Sequence, residues 1–267
     1  MSYALTGKTA IVTGAANGVG LAIGRQFLNA GASVVFADMD EDRLRDELGV
    51  EAEKEENVRI FAGDLRQKLC QANLLSVALD GFDGIDVLVN ASRQVATTDP
   101  LDPEDCTLST LLEQNFYNSL RLSQLVARRM IKQSGDAPIG TIGSIVNLSS
   151  IAAVRTHPEL LAFSVSTAAL DQMTRSLAVA LSSKGIRVNA VAFGSVMSAS
   201  LHDKLTNDGE IQEDIRDHTP LGRIASASEV AEAVQFLASD ASGFMTGQVI
   251  TVDGGRTLLD AVGSPAH

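Results

Sequence analysis

The sequence predicts an α/β fold, a doubly wound parallel sheet with helices on both faces, on three observations. Short β-branched runs alternate with helical patterns from one end of the chain to the other. Those runs are nearly continuous in apolar residues rather than strictly alternating, as in strands covered on both faces. A glycine-rich turn joins the first run to the first helical pattern. Strand and helix in strict succession mean βαβ units, whose crossovers are right-handed and whose strands are parallel.

The seven expected strands are Thr9–Thr13, Ser33–Ala37, Val58–Ala62, Asp86–Val89, Ser144–Leu148, Arg187–Ala192 and Gln248–Val252. Helical segments fall near 19–30, 41–53, 66–80, 105–133, 162–183 and 228–238. In the fifth, Leu170, Met173, Leu177 and Leu181 recur at three- and four-residue spacing and define one apolar face. Residues 134–143 form a breaker-rich loop, and 195–220 is a long polar stretch. A connection of that length in a compact domain is most often a functional lid. No internal repeat or linker divides the chain, so 1–267 reads as one domain.

Composition narrows the function classes. Of 267 residues, 45% are hydrophobic and 20% charged, enough to build a large core, and the net charge is −12. So acidic a surface repels phosphate backbones and anionic membranes, which excludes a nucleic-acid partner from the expectation. Cys70 and Cys106 lie far apart without a CxxC spacing, against a disulfide framework or a metal site and for a reducing compartment. Residues Met1 to Lys8 lack the apolar run of a signal peptide, and no stretch is apolar enough to span a bilayer. The expectation is a cytoplasmic protein without a membrane or metal.

The first turn carries the chemistry. Gly14, Gly18 and Gly20 sit between an apolar strand and a helix start, in a Gly-x3-Gly-x-Gly spacing. Glycines let the backbone approach a pyrophosphate, and the helix N-terminus offers free N–H groups and a positive dipole end. Asn17 and Val19 complete that turn. Asp38, eighteen residues past Gly20, closes the second strand where a carboxylate accepts hydrogen bonds from an adenosine ribose diol. Neither Asn17 nor Met39 offers a cation for a 2′-phosphate, so NAD(H) is expected over NADP(H). Asp64 closes the third strand just before Leu65 and reads either as an adenine contact or as an N-cap for 66–80.

The chain resembles the short-chain dehydrogenase/reductase family, single-domain type, over almost its whole length. Thr13 to Gly20 (TGAANGVG) match that family's TGxxxGxG turn, and Val146 to Ser150 (VNLSS) match the strand ending in its catalytic serine. Gly185 to Val191 (GIRVNAV), Thr219 to Arg223 (TPLGR) and Val252 to Gly255 (VDGG) match further family signatures. The resemblance implies a Rossmann-type fold, with Asp64 touching adenine and Asn90, Ala91, Val196 and Ser198 lining the rest of the cofactor. It also implies Ser150 and Asn115 as catalytic-site residues. Assembly as a dimer or tetramer is implied too, through helices 105–133 and 162–183, with Leu111, Leu122, Leu125, Leu177 and Leu181 as either interface or core.

The resemblance fails where the chemistry is done. The family's serine is followed by Tyr-x3-Lys, and counting thirteen residues from Ser150 reaches Phe163, with Thr167 in the lysine position. Hydride transfer to a ketone creates an alkoxide that must be protonated. A tyrosine of ordinary pKa near 10 serves if a neighbouring cation lowers it. Phe163 has no proton to give and Thr167 no charge. The family's Asn-Asn-Ala-Gly stands here as Asn90-Ala91-Ser92-Arg93, and its Pro-Gly as Phe193-Gly194.

Three functions follow as expectations. One is a cofactor-binding protein weak or inactive in conventional alcohol/ketone hydride transfer. Another is an NAD-dependent oxidoreductase with a relocated proton donor, for which His157, Ser164 and Tyr117 are candidates. The last is a non-redox lyase or a scaffolding subunit. In each enzymatic case a small-molecule pocket is expected around Arg93, His157 and Phe163, where Arg93 would bind an oxyanion or an acidic group.

Overall fold

The structure, a computed structural model, describes residues 3–135, 140–197 and 209–260. Seven parallel strands form the sheet: β1 (Thr9–Thr13), β2 (Ser33–Asp38), β3 (Val58–Ala62), β4 (Val87–Asn90), β5 (Gly143–Ser150), β6 (Ile186–Phe193) and β9 (Val249–Val252). Their order is β3-β2-β1-β4-β5-β6-β9. The chain winds outward from β1 to β3, then returns to β1's other side with β4. That reversal is the switch point where doubly wound sheets bind ligands.

Alternate residues of each strand feed opposite cores. On one face Val12, Val34 and Val146 pack with helices α1 (Gly18–Asn29), α2 (Glu41–Lys54) and α8 (Ala227–Ala238). On the other, Ile11, Val35 and Ile145 pack with α3 (Lys68–Phe82), α5 (Asn118–Ser134) and α6 (Leu161–Ser182). All five residues of β1 and all eight of β5 and of β6 are buried, the reason those strands read as unbroken apolar runs. Among the described residues no helix is long and apolar enough to cross a membrane, and no His, Cys, Asp and Glu group could hold a metal ion.

Two expectations need correction. The helix expected over 105–133 is divided into α4 (Thr107–Leu111), a π-helical turn at Leu112–Tyr117 and α5. Its composition predicts helix throughout, while the widened turn is set by the hydrogen bonds made around Asn115. The polar stretch 195–220 is not wholly irregular. It holds β7 (Val196–Met197), paired with β8 (Ala225–Ser226), and α7 (Gly209–Asp217). Ile215, on α7, is buried, and Ile211 one turn earlier is the periodic signal that marks this helix. Ser198, Leu201 and Leu205 lie outside the described residues. Leu111 and Leu122 are fully buried, and Leu125, Leu177 and Leu181 pack against a core, the second of the two readings the sequence leaves for them.

Arg187 shows how a buried charge is accommodated. Its guanidinium donates to the carbonyls of Leu237 (2.9 Å) and Ser239 (3.1 Å) and to Ser242 Oγ (2.9 Å), closing the end of α8. Desolvation lowers its pKa. At the other end of α8, Glu229 accepts the Ser226 N–H at 2.9 Å and is clamped by Arg223 at 2.7 and 2.6 Å. The Arg223 bonds, with the Ser226 N–H second, lower its pKa to about 2.

Two predictions follow. At Gly24 of α1 a Cβ would fall 2.1 Å from the Phe36 ring. Gly24→Ala is therefore expected to destabilise by about 1–2 kcal/mol despite alanine's better helix propensity. Adding Phe36→Leu should recover part of that loss in a urea titration, and a gain in stability from Gly24→Ala alone would contradict the packing. The Glu229 carboxylate, depressed in the folded state, contributes stability above its ordinary value of 4.5 that is lost as pH falls toward 2. Glu229→Gln should accordingly flatten the pH dependence of stability across that window relative to the parent chain, read from thermal midpoints.

Candidate functional site

The cleft lies across the carboxyl ends of β1, β2 and β4 to β6. At its first wall the glycine turn is held by steric necessity. A Cβ on Gly20 would lie 2.1 Å from the Gly14 carbonyl oxygen, and one on Gly14 would lie 2.8 Å from the backbone of Ala91 and Ser92. Gly14 and Gly18 also have positive φ, 64° and 53°. Asn17 is extended and exposed and its side chain does not cap α1. The first N–H groups of that helix, from Gly18, Val19 and Gly20, are thus left without a side-chain acceptor, a cradle that fits a pyrophosphate.

Asp38 stands beside this cradle. Its Oδ2 accepts the Ala16 N–H at 3.0 Å, and its Oδ1 accepts the N–H groups of Met39 (2.7 Å) and Asp40 (3.2 Å). The carboxylate is fixed by three backbone N–H groups, which leave it acceptor capacity for a ribose diol. Met39 is exposed and carries no charge. Asp64 is engaged by Arg66, whose Nε and Nη2 reach it at 2.9 and 2.8 Å, and these bonds hold its pKa below the usual carboxylate value. Asp64 does not cap α3, since the N-cap residue is Gln67, and Leu65 is buried with its carbonyl accepting from Gln71.

The middle of the cleft is tied together by Thr13. Its hydroxyl oxygen accepts the N–H groups of Ala91 and Ser92, both at 3.0 Å, fastening the loop after β4 to the end of β1. Asn90 is buried and donates to Ser123 Oγ (2.9 Å) and Asn147 Oδ1 (2.8 Å), so its amide braces β4 against β5 and α5. Asn115, at the π-helical turn, accepts the Gln94 N–H at 2.8 Å. It also donates to the Gln94 carbonyl (2.9 Å) and to Ser166 Oγ (3.2 Å). Its side chain is fully used in holding the loop after β4.

At the far wall, Ser150 is buried at the end of β5, its Oγ accepting the Ala152 N–H at 3.2 Å. Phe163 is 4% exposed, packed with Leu111, Ala152 and Ala162. Thr167 turns its hydroxyl back into α6, donating to the carbonyls of Phe163 (2.8 Å) and Ser164 (3.1 Å). Neither side chain presents an ionisable group. Val196 is buried at the start of β7.

The cation of this wall is Arg93. Its guanidinium lies over the Phe193 ring at 4.1 Å and near the Phe163 ring at 6.0 Å, and donates to the Ser149 carbonyl at 3.3 Å. Desolvation lowers its pKa to about 10, so it stays charged at neutral pH. It takes part in no ion pair among the described residues. The Ser149 hydroxyl is buried and makes no hydrogen bond of good geometry, and one oxygen of the buried Asp171 carboxyl is in the same position. Burial raises the Asp171 pKa, partly opposed by the nearby Ser149 hydroxyl. Sequence reasoning missed the Ser149 carbonyl and the Phe193 ring as neighbours of Arg93, because nothing in linear spacing brings the ends of β4, β5 and β6 together.

The remaining candidates lie elsewhere. His157 is exposed and its Nδ1 accepts the Glu159 N–H (3.3 Å), capping a short 3-10 turn. Tyr117 is exposed, edge-on to Phe116 and under Arg121. Ser164 is buried with its hydroxyl unpartnered.

Known proteins share this architecture along its length. A family model described as enoyl-(acyl carrier protein) reductase matches residues 14–257. The 7alpha-hydroxysteroid dehydrogenase of Escherichia coli K12 is 32% identical over 253 residues, 94% of either chain. The 3-oxoacyl-(acyl-carrier-protein) reductase of Thermotoga maritima is 32% identical, covering 95% of this chain and 99% of its own. The crystal structure of gox2181 superposes with a TM-score of 0.87 at 29% identity, over 96% of this chain and 98% of that one. With the sheet order, the glycine turn and these matches together, the chain belongs to the short-chain dehydrogenase/reductase family of oxidoreductases.

Proposed function

We propose that this chain binds NAD(H) in the cleft but has lost the conventional proton transfer of its family, so that the dinucleotide serves as a held or sensed ligand. One observation carries the reading: at positions 163 and 167 of α6 stand a buried phenyl ring and a hydroxyl folded back on the helix. Bound NAD(H) would supply a hydride donor or acceptor, but neither of these two positions offers a proton to a product alkoxide. Losing a positioned acid/base costs about 10²–10⁴ in rate.

The uncapped start of α1 supports pyrophosphate binding, with Gly14, Asn17, Gly18, Val19 and Gly20 around it. Asp38 favours a ribose diol and repels a 2′-phosphate, which supports NAD(H) over NADP(H). Ala91, Val196 and Ser198 are assigned to the nicotinamide half by family position. A relocated donor has less support, since His157 and Tyr117 are exposed and engaged elsewhere. The two free cysteines, Cys70 and Cys106, accord with a cytoplasmic setting. A homo-oligomer is part of the reading, supported by exposed Val165 and Val179 on α6, and light scattering giving the mass of one chain would reject it.

Titration with NADH, followed by its fluorescence, should give saturable binding that Asp38→Ala weakens at least about tenfold, a loss of roughly 1.4 kcal/mol. Absence of binding at millimolar NADH would overturn the proposal. With a panel of ketones and alcohols the parent chain should show no turnover, while Phe163→Tyr combined with Thr167→Lys should introduce it. Turnover by the parent chain at ordinary dehydrogenase rates would contradict the loss of proton transfer.

A further inference from the structure

The family's lysine charge is missing from α6, yet the cleft is not without a cation. Arg93 enters from the opposite side, on the loop that Thr13 fastens to β1. Phe193 beneath it and the Ser149 carbonyl beside it hold the guanidinium over the ends of β5 and β6. An adenosine anchored at Asp38 and the glycine turn directs the rest of an extended dinucleotide across β1 and β4 toward this point. A nicotinamide ring held at that point would lie near the Arg93 charge.

We propose that Arg93 makes the nicotinamide end of the cleft selective for the reduced dinucleotide, admitting the neutral ring of NADH and repelling the pyridinium cation of NAD⁺. This rests on the NAD(H) reading above and names what the site would sense. Three features carry it. The guanidinium has no carboxylate partner among the described residues, so its charge is not cancelled locally. Of its N–H groups only one makes a hydrogen bond among the described residues, to the Ser149 carbonyl, which leaves donors and charge unspent on the protein. Stacking on Phe193 at 4.1 Å restrains it from swinging out when a cation approaches. Like unit charges about 5 Å apart in a partly desolvated cleft repel strongly enough to change an affinity by tenfold or more.

The test compares affinities for NADH, NAD⁺ and ADP-ribose by calorimetry in the full chain and in Arg93→Met and Arg93→Lys. The full chain should bind NADH at least about tenfold more tightly than NAD⁺. Arg93→Met should bring the ratio toward one, mainly by tightening NAD⁺, while ADP-ribose, which lacks the ring, stays unchanged. Arg93→Lys, keeping the charge, should keep the preference. Should Arg93→Met fail to fold, Arg93→Gln carries the same comparison. Equal affinities in the full chain, or an unchanged ratio once the charge is removed, would overturn this inference and leave NAD(H) binding intact. Binding of ADP-ribose without either dinucleotide would mean that the ring is excluded whatever its charge, and the inference fails. No binding of any of the three removes the NAD(H) reading itself.

Discussion

The hydroxyl of Thr13 is the fastening on which the carboxyl edge of the sheet depends. It draws two N–H groups of the loop after β4 onto the end of β1, at the place where the winding reverses. A doubly wound sheet opens a crevice there because neighbouring connections leave in opposite directions. The same fastening brings the Ala91 and Ser92 backbone so close to Gly14 that no side chain fits between them. One short side chain thus decides the width of the cleft, the need for glycine and the path by which residue 93 enters.

The two halves of the cleft obey different logic. Around the glycine turn, donors and one fixed carboxylate are laid out with few protein partners of their own. Around Ser150 the reverse holds: the amides of Asn90 and Asn115 are consumed by internal bonds, and Thr167 satisfies itself on its own helix. In place of a proton relay, a guanidinium lies over one aromatic ring and within reach of a second. Arg93 is seated in this wall, with a ring beneath it and a carbonyl at its edge, though its charge has no carboxylate partner among the described residues.

Much of this was readable before any coordinates. The strands were visible because burial on both faces demands continuous apolar residues, and the cleft because glycine turn and strand-end aspartate have few other uses together. Phe163 and Thr167 stood out by counting from Ser150. What remained hidden depends on meetings between distant segments. Arg93 reads as any loop arginine until β6 delivers the Phe193 ring beneath it. Asn115 reads as a site residue, yet its amide is spent on Gln94, twenty-one positions away. Asp64 was ambiguous between two roles and is gripped by Arg66, a neighbour whose reach no periodicity reveals.

The widened turn at Leu112–Tyr117 has an evolutionary corollary. Such a turn accommodates one more residue than regular coiling, and everything downstream is rotated by roughly a hundred degrees relative to what precedes it. Loss of a single codon there could be absorbed without breaking the helix, but it would swing the amide of Asn115 off Gln94 and release the segment that carries Arg93. The helical register of one segment is thereby coupled to the placing of a charge carried by another.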